Sequence, residues 1–436
     1  MGVSMSASPP RYRLGGNYPT RSSANATLSR IGPRILRVPL NHEAYSIWSA
    51  SISHSKVNAM TDPTSSRVNS SLNNPLEPQP LSQSERTRLE GAREEFDAQV
   101  VYLNTATLGL PPRRSWEAMQ NALVEWRCGR ANPAEYDAPL TAARAAYAKL
   151  VIVEPRLVAV GSQVSVFAGL IAAALAPGSE VLTASGDFTS ILFPFYAQSV
   201  RGIEVREVPL ERLADAVTSR TSLVSVSAVQ SADGRLADLD ALESACASTG
   251  TRILLDTTQA VGWLPIDASR FAYTTGGGYK WLLAPRGCAY MTVQPEFLDD
   301  LIPNNAGWYA GEDPWNSIYG APLRLASDAR RFDVSPAWHA WVGAAPSLEL
   351  LAEVGSSVLH RHAVGLANEF RSSVDLPLGD SAIVSALADA EVPEAMAKAG
   401  ISGSFRAGRL RLSFHVSTSS ADAQRAADVL SGLLHP

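Results

Sequence analysis

A chain of 436 residues, 46% of them hydrophobic and 18% charged, has the make-up of a globular protein with a large core, and its length allows two or three domains. A formal charge of −5 argues against a nucleic-acid surface and against strong attraction to anionic membranes. No apolar run reaches the ~18 residues that a membrane-crossing helix needs. The three cysteines, Cys128, Cys246 and Cys288, are far apart and odd in number, which speaks against a disulfide framework. His360 and His362 form the nearest thing to a metal signature, but an i,i+2 pair on a helix points in two directions, and no metal is expected.

Residues 1–88 are rich in Ser, Asn, Pro and Arg and carry no acidic residue before Glu43, so they read as a disordered extension or an early start with Met60 or later as the true beginning. The Arg- and Ser-rich start also fits a transit segment, and Met1-Gly2 with Ser6 fits a myristoylation pattern. No secretory signal is present, and a cytoplasmic location is expected.

From Tyr102 onward the pattern becomes an α/β alternation. Strands are predicted at 157–160, 181–183, 203–208, 222–226, 252–255 and 288–293. Helices are predicted at 164–176, 210–217 and 239–248. This order calls for a mostly parallel sheet flanked by helices, with ligands beyond the carboxyl ends of the strands. The last third changes character. Strands at 382–385, 403–406 and 409–415, with helices near 342–352 and 421–434, predict a smaller C-terminal α/β domain. The expected division is an extension (1–88), a large domain (89–305, with segment 95–115 near the site), and a connecting segment with the small domain (306–436).

Lysine is scarce: only Lys56, Lys149, Lys280 and Lys398 occur, while arginine carries nearly all the positive charge. A lysine in an apolar setting therefore needs its own explanation. Lys280 follows Gly276-Gly277-Gly278-Tyr279 and precedes Trp281-Leu282-Leu283. The glycines let backbone approach a ligand, and the apolar flank favours a neutral amine able to condense with a carbonyl. A snorkelling surface lysine is the plainer alternative. Upstream, Asp256 ends the apolar run Ile253-Leu254-Leu255, where a buried carboxylate needs a cationic partner. Read alone, it is better taken as a helix N-cap for the turn that begins at Thr257. Gly161-Ser162-Gln163-Val164 stands between a strand and a helix, a place for an anion such as phosphate. Pyridoxal 5′-phosphate needs these three features: a lysine for the Schiff base, a carboxylate for the pyridine nitrogen, and a phosphate cradle.

On these residues the chain from about Tyr102 to the end resembles the class V aminotransferase group of fold-type I pyridoxal-phosphate enzymes, in its isopenicillin N epimerase-like and cysteine-conjugate lyase-like branch. The resemblance implies Lys280 and Asp256 as catalytic, with Ser162, Gln163 and Tyr279 around the phosphate. It implies Phe188 stacked on the ring and Gln259 facing the phenolic oxygen. Ser335, in Arg331-Phe332-Asp333-Val334-Ser335-Pro336, would reach the phosphate of a neighbouring subunit, which implies a homodimer. Arg411 would bind the substrate carboxylate, although alternating Arg409 and Arg411 also fit a solvated strand. Asn104, in Asn104-Thr105-Ala106-Thr107-Leu108-Gly109, would belong to a segment folding back over the site. The implied activity is transamination or β-elimination on an amino acid or its conjugate. Epimerisation, or a silent fold used only for binding, are the alternatives. The resemblance stops short of the persulfide-forming desulfurases, because no cysteine follows Cys288.

Overall fold

The computed structural model describes residues 80–436, so the readings made for residues 1–79 lie outside the described part. Three helices, α1 (Gln83–Arg93), α2 (Arg113–Arg127) and α3 (Asp137–Leu150), open it, with a short strand β1 (Val101–Tyr102) between the first two. Helix α1 starts with a capping box: the Ser82 hydroxyl accepts from the Glu85 N–H at 3.3 Å and the Glu85 carboxylate from the Ser82 N–H at 2.8 Å. This helix spans residue 88, near which the sequence reading set the boundary of the large domain. The polar composition of 80–88 hid a helix that buries only Leu89 and Ala92.

The main alternation follows as β2 (Val158–Gly161), α4 (Val164–Ala174), β3 (Glu180–Ala184), α5 (Thr189–Tyr196), β4 (Glu204–Val208), β5 (Thr221–Ser227), α6 (Leu239–Thr249), β6 (Arg252–Asp256), β7 (Tyr273–Gly277) and β8 (Ala289–Val293). These strands form one seven-stranded sheet in the order β2-β8-β7-β6-β5-β3-β4. All neighbours pair in parallel except around β8, which runs antiparallel to both β2 and β7. Side chains alternate between two apolar layers. Ile253 and Leu255 enter one layer while Leu254 enters the other, which is why this strand reads as an unbroken apolar run.

One expectation changes. The helix predicted at 210–217 is a single 3₁₀ turn over Leu210–Arg212, because its two buried anchors, Leu210 and Leu213, are satisfied by one turn. Of the three glycines before Lys280, Gly276 and Gly277 belong to β7. A Cβ on Gly276 would stand 2.6 Å from Thr257 Oγ1, so glycine is required where the strand meets the neighbouring turn.

The remainder comprises α7 (Trp338–Val354), α8 (Ser356–Ser373), β9 (Ile383–Ala388), α9 (Val392–Ala399), β10 (Ile401–Ser402), β11 (Ser404–Arg406), β12 (Arg409–Ser413), α10 (Ser420–Leu430) and β13 (Leu434–His435). Strands β11-β12-β9-β13 make an antiparallel sheet with its own apolar cluster, and β1 pairs in parallel with β10. Among the described residues no helix is long and apolar enough to cross a membrane.

Candidate active site

The carboxyl ends of β2, β5, β6 and β7 open on one side of the large sheet, and antiparallel β8 begins there. Between them lies a cavity of about 290 Å³. Its wall holds Ser162 and Gln163 after β2, Asp256, Thr258 and Gln259 at and after β6, and Gly277, Tyr279 and Lys280 at and after β7; Phe188 adds an aromatic face. Seven of the ten residues expected at the site therefore meet in one place.

Lys280 is held by a tight turn. The Gly278 N–H donates to the Cys288 carbonyl at 2.8 Å, and the Leu283 N–H to the Lys280 carbonyl at 3.0 Å. Its side chain is buried, with Nζ 5.2 Å from the centre of the Phe188 ring and 5.6 Å from that of Tyr279. Burial disfavours the ammonium and brings the pKa down to about 8, against the opposing pull of Asp256. Asp256 is buried as the last residue of β6, and its Oδ1 accepts from the Thr258 N–H at 2.8 Å. The residues after β6 form turns and not a helix, so this bond ties a turn and does not cap a helix. Burial pushes this carboxyl up to about 6.

Phe188 is placed by a residue that sequence reasoning missed. Buried Asp187 accepts from the Phe188 N–H at 2.7 Å, the Ser227 N–H at 2.7 Å and the Ser227 hydroxyl at 2.5 Å. This ties the start of α5 to the end of β5 and turns the half-exposed ring toward the cavity. Ser162 and Gln163 precede α4, whose N-terminus has no side-chain cap and no acidic residue in its first turn. That end is therefore open to an anion.

Gln259 lines the cavity, but its amide is committed within the protein. Nε2 donates to the Ala106 carbonyl and to Ser231 Oγ, both at 3.0 Å, and Oε1 accepts from Trp281 Nε1 at 2.7 Å. Both amide hydrogens are spent, so the side chain braces residues 104–109 against the turn after Lys280. The same segment docks through the Gly109 N–H, which donates to the Tyr279 carbonyl at 2.9 Å. A Cβ on Gly109 would lie 2.2 Å from the Lys280 carbonyl oxygen, so only glycine fits this approach.

Arg411 and Asn104 are not among the residues that line the cavity. Arg411 is buried on β12, donating to the carbonyl and hydroxyl of Ser231, the latter at 3.3 Å, and to Thr107 Oγ1 at 2.8 Å. Its Nε, and Asn104 Oδ1, are buried without a hydrogen-bond partner among the described residues. Ser335 is exposed and outside the cavity of its own chain. Ser227, Thr258 and Arg286 line the wall without having been expected there, and Ser231 lines it from a segment that the family resemblance places near the cofactor. Arg286, in Pro285-Arg286-Gly287 beside the lysine motif, was the one most open to discovery from sequence.

The residues suit pyridoxal 5′-phosphate: a buried amine, a buried carboxylate, an aromatic face and an uncapped helix end surround one space. The fold and site thus define an α/β protein whose cavity, at the strand ends of a mostly parallel sheet, suits pyridoxal 5′-phosphate. A family model described as aminotransferase class-V matches residues 158–377. Isopenicillin N epimerase of Streptomyces clavuligerus is 28% identical over 308 residues, 63% of this chain and 75% of that one. Kynureninase of Deinococcus radiodurans is 26% identical over 316 residues, 65% of this chain and 74% of that one. A cystine C–S lyase solved with its reaction product cysteine persulfide matches with a TM-score of 0.69 at 20% identity, covering 78% of this chain and 99% of that chain, a likeness of fold. The chain belongs to the class V aminotransferase family, and pyridoxal 5′-phosphate is its cofactor.

Proposed function

We propose that this protein acts on an amino acid or amino-acid conjugate, by transamination or by β-elimination of the C–S lyase kind, as a homodimer with the domain division read from the sequence. The observation that carries the reading is the buried Lys280 amine facing the same cavity as Asp256, with Phe188 beside it. Bound there, pyridoxal 5′-phosphate supplies an aldehyde that condenses with amines and a ring that draws electrons from the substrate Cα.

The chain's own residues do the rest. Asp256 holds the proton on the ring nitrogen, which keeps the ring electron-poor. Lys280 Nζ, with a pKa brought down to about 8, takes the Cα proton as a general base near neutral pH. Phe188 covers one ring face and excludes water from it. The unpartnered Nε–H of Arg411 is a donor in reserve for the substrate carboxylate, reached when that carboxylate takes the places of Thr107 Oγ1 and Ser231. Where the proton is returned separates the outcomes: at Cα it gives epimerisation, and elsewhere transamination, while loss of a β-substituent gives elimination.

Cys288 touches the cavity, but burial pushes its thiol far up, so it is a poor thiolate and a poor sulfur acceptor. That favours elimination or transamination over persulfide formation on the protein. The test is the visible spectrum of the purified protein with a panel of amino acids and cysteine S-conjugates. Yellow protein that bleaches to the amine form indicates transamination, and pyruvate release with colour regained indicates elimination. Lys280→Ala should lose the colour and essentially all turnover; a variant with full activity would sink the assignment.

A further inference from the structure

Two cations and one anion are present in the cavity wall: Lys280, Arg286 and Asp256. Lys280 is committed to the aldehyde end of the cofactor and Asp256 to its ring nitrogen. A phosphate monoester brings a charge of roughly −1.5 to −2, and one helix N-terminus offers only about +0.5 against it. The wall needs a further cation at the phosphate end, and Arg286 is the residue left.

The register of the sheet brings it there. Gly161 of β2 and Gly277 of β7 both stand opposite Ala289 of β8. Continuing the antiparallel pair beyond Gly161 sets Cys288 beside Ser162 and Gly287 beside Gln163, which carries Arg286 to the first turn of α4. Its guanidinium lies 4.9 Å from the centre of the Tyr279 ring, so the ring orients it, and it makes no hydrogen bond or ion pair among the described residues. A planar guanidinium with its N–H groups uncommitted, beside an uncapped helix end, matches a phosphate rather than an apolar group.

We propose that Arg286 holds the phosphate of the cofactor, together with Ser162, Gln163 and the N-terminus of α4. The proposal rests on the cofactor reading above, and the test separates the two. Apoprotein, wild type and Arg286→Gln, is titrated with pyridoxal 5′-phosphate and, separately, with pyridoxal, which lacks the phosphate. Arg286→Gln should weaken the phosphorylated aldehyde by roughly 10- to 100-fold, as for loss of hydrogen bonds to a charged group, and leave pyridoxal nearly unaffected. Arg286→Lys, which keeps the charge and loses the fork, should fall between. Because Arg286 is exposed, all three apoproteins should melt alike. Equal losses for both aldehydes, or no loss for either, would overturn the assignment. So would intact cofactor affinity with a KM raised only for acidic substrates, which would give Arg286 to the substrate. A wild-type protein that binds neither aldehyde would refute the cofactor reading, and this one with it, before any variant is made.

Discussion

Lys280 and Asp256 are both buried at the wall of one cavity, and burial moves each toward its neutral form: the amine down to about 8 and the carboxyl up to about 6. Attack on an aldehyde needs the neutral amine, whose fraction rises with pH through the lysine pKa. Capture of pyridoxal 5′-phosphate by the apoprotein, followed as growing visible absorbance, should therefore accelerate through a limb near pH 8 and not near the ordinary lysine value of 10.5. The charge on Asp256 favours the ammonium, so Asp256→Asn should shift this limb to lower pH while turnover falls. A limb that stays in place in the variant would show that the two groups do not interact. Residues of this kind were legible in the sequence because they break a local pattern: a carboxylate after three apolar residues, a lysine in a lysine-poor chain. Asp187 was not legible, since its importance lies in partners 40 positions away in β5.

At the scale of elements, the segment before α7 is pinned to β2 by a buried ion pair. Arg144 of α3 donates to Asp333 at 2.6 Å and 3.3 Å, and Asp333 also accepts from the Val160 N–H at 2.8 Å. Both side chains are almost wholly buried. Asp333→Ala would strand the guanidinium without its counter-charge, at a cost of about 3–5 kcal/mol, a large share of the stability of a typical domain. Urea unfolding should show this as a lowered midpoint at unchanged slope. A loss under ~1 kcal/mol would mean that water reaches the pair and screens it. The same link holds Ser335, two residues on, at a fixed place on the outer surface, so the variant tests the geometry of that edge as well as its strength.

For the whole molecule, the homodimer is the proposal with the most to explain. Ser335 is exposed, as a hydroxyl serving a second subunit would have to be. Helix α2 leaves Trp116 and Leu123, two turns apart on one face, 56% and 38% exposed in the single chain. A second subunit would cover such a face. Sedimentation should give a mass of about 93 kDa, twice the 46.5 kDa of the chain, and Trp116→Glu should shift it toward monomer. A monomer that retains its cofactor at nanomolar protein would remove both the dimer and the role of Ser335.

What the sequence determined by itself was the α/β alternation, the large core and the chemical types that line the cavity: amine, carboxylate, aromatic ring and helix end. These are local properties, carried by period, burial and neighbours along the chain. The tertiary structure decided which of them meet. It brought the ends of β2, β6 and β7 to one cavity and set Arg411 behind Ser231 instead of in the wall. It tied Gln259, which lines the cavity, to Ala106, Ser231 and Trp281. It also raised Arg286 from an unremarked residue to a wall cation, because strand β8 runs antiparallel and returns to the edge where the parallel strands end. The physical reason is that a hydrogen-bonding group shows its type in the sequence, while its partner is fixed only by strand register and by what packs behind it.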